Sequence, residues 1–153
     1  MQPRTRIGLI VGAIGLVLNI CVSGFIGLCG PLVSLIAGGV AGFFAAQQEK
    51  LSTKNDGARA GATAGGIAGG LIIIGQLIGG IGALAYMQYS GMQTIFGQVP
   101  AAGDPASSIG YYLGGMGTGI CFGLVGAALA AGAGAGAGYL GTPDQPPPVN
   151  PPM

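Results

Sequence analysis

The chain contains no histidine and no tryptophan, only three cysteines, and five Lys or Arg against four Asp or Glu in 153 residues. Each shortage excludes a class of chemistry. Without histidine there is no imidazole to act as a general base near neutral pH or to ligate haem. The carboxylates Glu49, Asp56, Asp104 and Asp144 are scattered, with no paired spacing for acid and base work or for a cation cage. Cys21, Cys29 and Cys121 form no C-x-x-C pair, and with no histidine to join them a zinc site is not expected. No GxxxxGK[ST] phosphate loop occurs. A net charge of +1 without a basic cluster excludes a nucleic-acid surface. The expectation is a chain that is not an enzyme and holds no cofactor or metal.

What is present is apolar. Half of the residues are hydrophobic, 34 are glycine and 6% are charged, against roughly 25% charged in a soluble domain. There is no strict Gly-X-Y period, so collagen is excluded, and the apolar content is too high for intrinsic disorder. From Ile7 to Leu140 only Glu49, Lys50, Lys54, Asp56, Arg59 and Asp104 carry charge. A helix crosses roughly 30 Å of hydrocarbon with about 20 apolar residues. Four stretches fit or nearly fit, at 7–23, 25–46, 60–86 and 108–140. The predicted fold is therefore all-α: an integral membrane four-helix bundle of two helical hairpins. Its N-terminus is 1–6, its loops are 47–59 and 87–107, and 141–153 form a disordered proline-rich tail. The first turn is expected at Gly24 or at Gly30-Pro31. Fraying is expected at Gly132 to Gly138, because alternating glycine is costly in a helix.

Orientation follows from the basic residues. Arg4 and Arg6 precede the first stretch, and Lys50, Lys54 and Arg59 separate the second from the third; the segments near residue 24 and at 87–107 have none. With four spans all five fall on one side, which the positive-inside rule makes cytoplasmic, together with both termini. Three or five spans would break that agreement. The start also reads as a secretory signal, with Arg4 and Arg6 before an apolar run and Cys21 in a lipoprotein-like position. Asn19 and Ile20 occupy places that want small residues, so the segment is expected to remain as a span. The tail from Thr142 to Met153 has six prolines and favours an extended polyproline II strand. With no basic residue beside Pro146, Pro147 and Pro148 it reads as a solvated tether rather than a docking peptide.

Within the stretches, Gly61, Gly65 and Gly69 repeat every fourth residue, as do Gly115, Gly119 and Gly123. Lipid offers no hydrophobic drive for helix association, so close backbone approach over small residues supplies the contact instead. Tight pairing of the third and fourth helices is expected. Single pairs such as Gly8 with Gly12 and Gly38 with Gly42 arise as readily by chance in so glycine-rich a chain. Asn19, Gln76 and Thr118 are the notable intramembrane polar residues, read either as hydrogen-bonding across helix interfaces or as lining a polar path. Cys21 and Cys29 are a candidate disulfide or two buried thiols. Tyr86, Tyr89, Phe96, Tyr111 and Tyr112 read as interfacial anchors. The GG-x-AG core shared by Gly38 to Gly42 and Gly65 to Gly69 is either a diverged repeat or convergence.

An apolar first stretch, the Cys21 to Pro31 turn, a second stretch, then Asp56-Gly57-Ala58 leading to Gly61-Ala62-Thr63-Ala64-Gly65-Gly66 resembles small four-span prokaryotic membrane proteins of the domain-of-unknown-function kind, over roughly residues 7 to 85. The stretch from Gly61 to Gly70 is similar to glycine-zipper membrane segments of bacterial envelope proteins. The resemblance implies a bacterial plasma membrane and supplies no catalytic residues. The function expected is that of a non-catalytic accessory or structural subunit in contact with membrane lipids and other integral membrane subunits, with self-association left open. The alternatives are a small homo-oligomeric pore or transporter with Asn19, Gln76 and Thr118 facing a lumen, and an envelope-integrity factor.

Overall fold

The computed structural model describes residues 2–23, 30–49, 51–91 and 105–143, and over these it is all-α with no strand. Helices α1 (Pro3–Ser23), α2 (Gly30–Glu49), α3 (Lys54–Ser90) and α4 (Pro105–Gly141) follow in order. Each is long and apolar enough to cross a membrane. The first turn, most of the 87–107 loop with Phe96 and Asp104, and nearly all of the tail lie outside the described residues.

The helix ends depart from the expected boundaries for local reasons. Most of the expected loop at 47–59 is helical: α2 runs to Glu49 and α3 starts at Lys54. Thr53 is the N-cap of α3, with φ −128° and ψ 149°. Its Oγ1 accepts from the Asp56 N–H at 3.2 Å and donates to Asp56 Oδ2 at 2.7 Å. This cap satisfies donors that the first turn leaves open, so α3 begins among polar residues. Polarity marks where the apolar run stops, not where the helix stops. At its other end α3 continues to Ser90, beyond the expected limit of residue 86, and closes on Gly91 in the left-handed region at φ 67°. That conformation is open to glycine at little cost.

The fraying expected at Gly132 to Gly138 does not occur; α4 is helical through Gly141. The reason lies in its neighbours. Gly134 and Gly138 are buried against the backbones of α2 and α3, at positions where a Cβ would overlap carbonyl groups. Packing thereby offsets the propensity cost of about 1 kcal/mol per glycine relative to alanine.

The helices alternate in direction, and contact registers show which lie parallel. Gly8 of α1 lies against Ala64 of α3, Gly12 against Ala68, and Leu16 against Gly75. Both numbers rise together, so α1 and α3 are parallel. In α2 and α4, Ser34 meets Gly126, Gly38 meets Ala130 and Gly42 meets Gly134, again parallel. Helices α3 and α4 run antiparallel, from Gly57 against Gly138 to Leu84 against Gly115. Helix α3 packs on all three others, whereas α1 and α4 barely touch. The cross-section is therefore a rhombus with α2 and α3 on its short diagonal.

The two halves of the chain differ in length. Helices α1 and α2 have 21 and 20 residues, α3 and α4 37 each, or about 30 Å against about 55 Å. The four align at one end, where Arg4 meets Glu49 and Gly57 meets Thr142. The far parts of α3 and α4 consequently extend as a pair past the described ends of α1 and α2.

Candidate functional site

The most specific construction in the molecule is the junction of α2, α3 and α4. Gly134 lies at its centre, facing the carbonyl oxygens of both Gly61 and Gly38 and the Cα of Gly65. Gly61 faces Gly134 and Gly138, Gly65 faces Ala130 and Gly134, and Gly69 faces Ala127, where a Cβ would stand 2.9 Å from Cα. Ala60, Ala64, Ala68 and Ala130 are fully buried around these contacts. No side chain larger than a methyl group separates the helices here, so the interface consists of backbone against backbone, where dispersion and weak Cα–H contacts act.

The second set of glycines behaves differently. Gly115, Gly119 and Gly123 do not meet Gly61, Gly65 and Gly69, because the antiparallel register places them opposite Leu84, Leu77 and Ile73. There they form gaps that receive large side chains: an added Cβ at Gly119 would lie 3.6 Å from Leu77 Cδ2, an ordinary contact distance. A third set, including Gly110, Gly114, Gly117, Gly132 and Gly136 of α4, points away from the other helices, with nothing within 4 Å of an added Cβ.

The candidate polar residues differ in burial and in partners. Asn19 is 1% exposed and its Nδ2 donates to the Ile72 carbonyl across the α1–α3 interface at 3.2 Å. Gln76 is half-buried on α3, one turn beyond Ile72. Thr118 is exposed on α4 and donates to the Gly114 carbonyl of its own helix at 2.9 Å, a common way for a membrane helix to satisfy a hydroxyl. Asn19 is thus buried between helices, whereas Thr118 is on the exposed side of α4. Cys29 lies outside the described residues, so no Cys21–Cys29 bridge is placed; Cys121 is an exposed free thiol. Among the described residues no group of three His, Cys, Asp or Glu side chains converges.

At the other end α3 and α4 are joined by polar side chains, of which the sequence points only to Tyr112, as an interfacial anchor. Tyr112 donates its hydroxyl to Gln88 Oε1 at 2.9 Å, and Gln88 Nε2 donates to Ser108 Oγ at 3.1 Å. Tyr111 packs edge-on against Tyr112, with ring centres 5.7 Å apart. Tyr86 and Tyr89 point outward, Tyr89 at 93% exposure. The aromatic cluster thus divides into an outer pair and an inner pair. Only Gln88, lodged between Met87 and Tyr89, hinted at the inner one.

The charged end gathers the basic starts of α1 and α3. The Glu49 carboxylate accepts from the Arg4 backbone N–H at 3.1 Å and lies 3.8 Å from Arg4 Nε. A carboxylate at the first turn of α1 complements the partial positive charge of the helix start. The Lys54 ammonium lies 5.4 Å from the centre of the Tyr139 ring, within range of a cation–π contact, and buried Thr142 bonds back to the Gly138 carbonyl.

Set beside known proteins, the chain matches no protein-family model, no curated protein and no solved structure.

Proposed function

We propose that the chain is a non-catalytic multi-pass membrane protein of a bacterial plasma membrane, with both termini cytoplasmic, that serves as a structural subunit of a larger membrane assembly. Its basic residues gather at one end, in keeping with the positive-inside rule. Large apolar residues such as Ile10, Ile14, Val17, Ile36, Ile74 and Leu124 are exposed around the sides, and they suit hydrocarbon better than water.

The observation that carries the structural role is the contrast between the glycine sets. The glycines of the α2–α3–α4 junction are used up inside the chain, while those on the outer face of α4 have room for a side chain and no internal neighbour. An outward glycine costs a helix about 1 kcal/mol relative to alanine, and contact with the small-residue face of a partner helix is a return for it. Asn19 bonds across the α1–α3 interface and Thr118 bonds within its own helix, so both hydrogen-bonding groups are satisfied within the chain.

Affinity purification of the tagged chain from native membranes in a mild detergent tests the role. A second integral membrane protein is expected in stoichiometric amount, and its loss is expected in a Gly132→Leu, Gly136→Leu variant. Recovery of the free monomer alone would remove the basis of the proposal.

A further inference from the structure

At the charged end several charges are engaged within the chain: Glu49 with Arg4, Lys54 over Tyr139, and Asp56 with Thr53. Arg6 and Arg59 stand beside them, both exposed. Among the described residues neither guanidinium has an ion pair or hydrogen bond. Asp56 is within one turn of Arg59, but its carboxylate is held by Thr53.

The two arginines stand within about one helical turn of one height. Gly8 of α1 lies against Ala64 of the parallel α3. From that contact Arg6 is about 3 Å and Arg59 about 7.5 Å towards the charged end, at 1.5 Å of rise per residue. Beyond Arg6 the exposed face of α1 continues as Leu9, Ile10, Ala13 and Ile14. Arg6 therefore marks the border between the apolar face of α1 and the charged end, and Arg59 stands on the neighbouring α3 close to that level. In a membrane-spanning chain that border coincides with lipid phosphates, and flexible arginine stems reach towards them.

We propose that Arg6 and Arg59 bind the headgroups of anionic phospholipids in the leaflet surrounding the charged end. The guanidinium presents paired donors that match two phosphate oxygens. A zwitterionic headgroup brings its own cation, which competes for that phosphate, while an anionic one leaves it to the arginine. The proposal rests on the membrane-spanning reading above and is independent of the structural role.

The full chain, reconstituted in nanodiscs of phosphatidylcholine with and without phosphatidylglycerol, tests this. Native mass spectrometry reads the retained lipids, and protease protection reads insertion. Preferential retention of phosphatidylglycerol is expected. It should fall about fivefold in Arg6→Gln or Arg59→Gln and about thirtyfold in the double variant, from about 1 kcal/mol per basic residue near an anionic surface. Lys54→Gln should leave it within about twofold, because Lys54 is engaged by Tyr139. The pair Arg6→Lys, Arg59→Lys keeps the charge and should keep most of the preference.

Equal retention of both lipids by the unaltered chain would overturn the proposal, as would full retention by the double glutamine variant. Loss in the lysine pair as complete as in the glutamine pair would overturn the charge argument. Displacement of the lipid by excess inorganic phosphate would show a free-anion site instead. Failure to insert in phosphatidylcholine would overturn the membrane reading itself, and protease protection separates that outcome from the others.

Discussion

Near the charged end α3 and α4 meet backbone to backbone, through Gly57, Gly61, Gly65, Gly134 and Gly138; further along, the same two helices meet through Ile73, Leu77 and Leu84 set into Gly123, Gly119 and Gly115. Both halves draw on glycine, but for different ends. In the first half a third helix, α2, converges on the pair at Gly38 and Gly42, leaving no room for side chains on any of the three. In the second half the described part of α2 ends near Gly123, so the α3–α4 contact is wide enough for large knobs, although α1 still packs on α3 at Ile72 and Gly75. Where α2 closes on the α3–α4 pair glycine acts as a surface, and towards and beyond the described end of α2 it acts as a socket.

The sharpest way to break this distinction is Gly134→Val. The side chain would enter the backbones of α2 and α3 together, and overpacking of this kind is expected to cost about 3 kcal/mol, read as unfolding in detergent by denaturant titration. A smaller effect is expected at the sockets: Ile73→Ala should cost about 1.5 kcal/mol by emptying one. Gly119→Ala should cost nothing, since a methyl group fits beside Leu77. If Gly119→Ala were as damaging as Gly134→Val, the two halves would not differ as described.

The α1–α3 contact extends the comparison, because there a small-residue interface carries one buried side-chain hydrogen bond. Asn19→Leu should cost about 1 kcal/mol, in the range of interhelical hydrogen bonds within membranes, with α1 the first helix to lose protection in hydrogen exchange. The smallest effect on stability is expected on the outer face of α4. Gly132→Ala with Gly136→Ala should leave unfolding unchanged or raise stability by up to about 1 kcal/mol per site, while weakening co-purification of a partner. Destabilisation there would mean that the outward glycines are needed by the fold of the single chain.

The four helices and their apolar lengths were legible in the sequence, because long uncharged runs leave little else for the backbone to do. Register was not. The spacing of Gly61, Gly65 and Gly69 pointed to a close-packed helix, but nothing local to them says that their neighbours are Ala127, Ala130, Gly134 and Gly138 rather than Gly115, Gly119 and Gly123. That choice depends on where the antiparallel pair aligns. The stretch Gly132 to Gly138 misled for a related reason: propensity counts the cost within one helix, and the compensation lies on two others. Gln88 was missed, and Glu49 was read as an unpaired carboxylate, because a single amide or carboxylate at a helix end has no pattern of its own, and each acquires a role only from what the fold brings opposite it.

The parallel pairing of α1 with α3 and of α2 with α4 also bears on time. Of the helix pairs that pack, α1 and α2 share the least, yet they are synthesised first. Their small-residue faces at Gly8, Gly12, Gly38 and Gly42 find their partners only on Ala64, Ala68, Ala130 and Gly134. During synthesis from the N-terminus, the first half of the chain therefore waits with its contact surfaces open, and the last helix to arrive completes the structure.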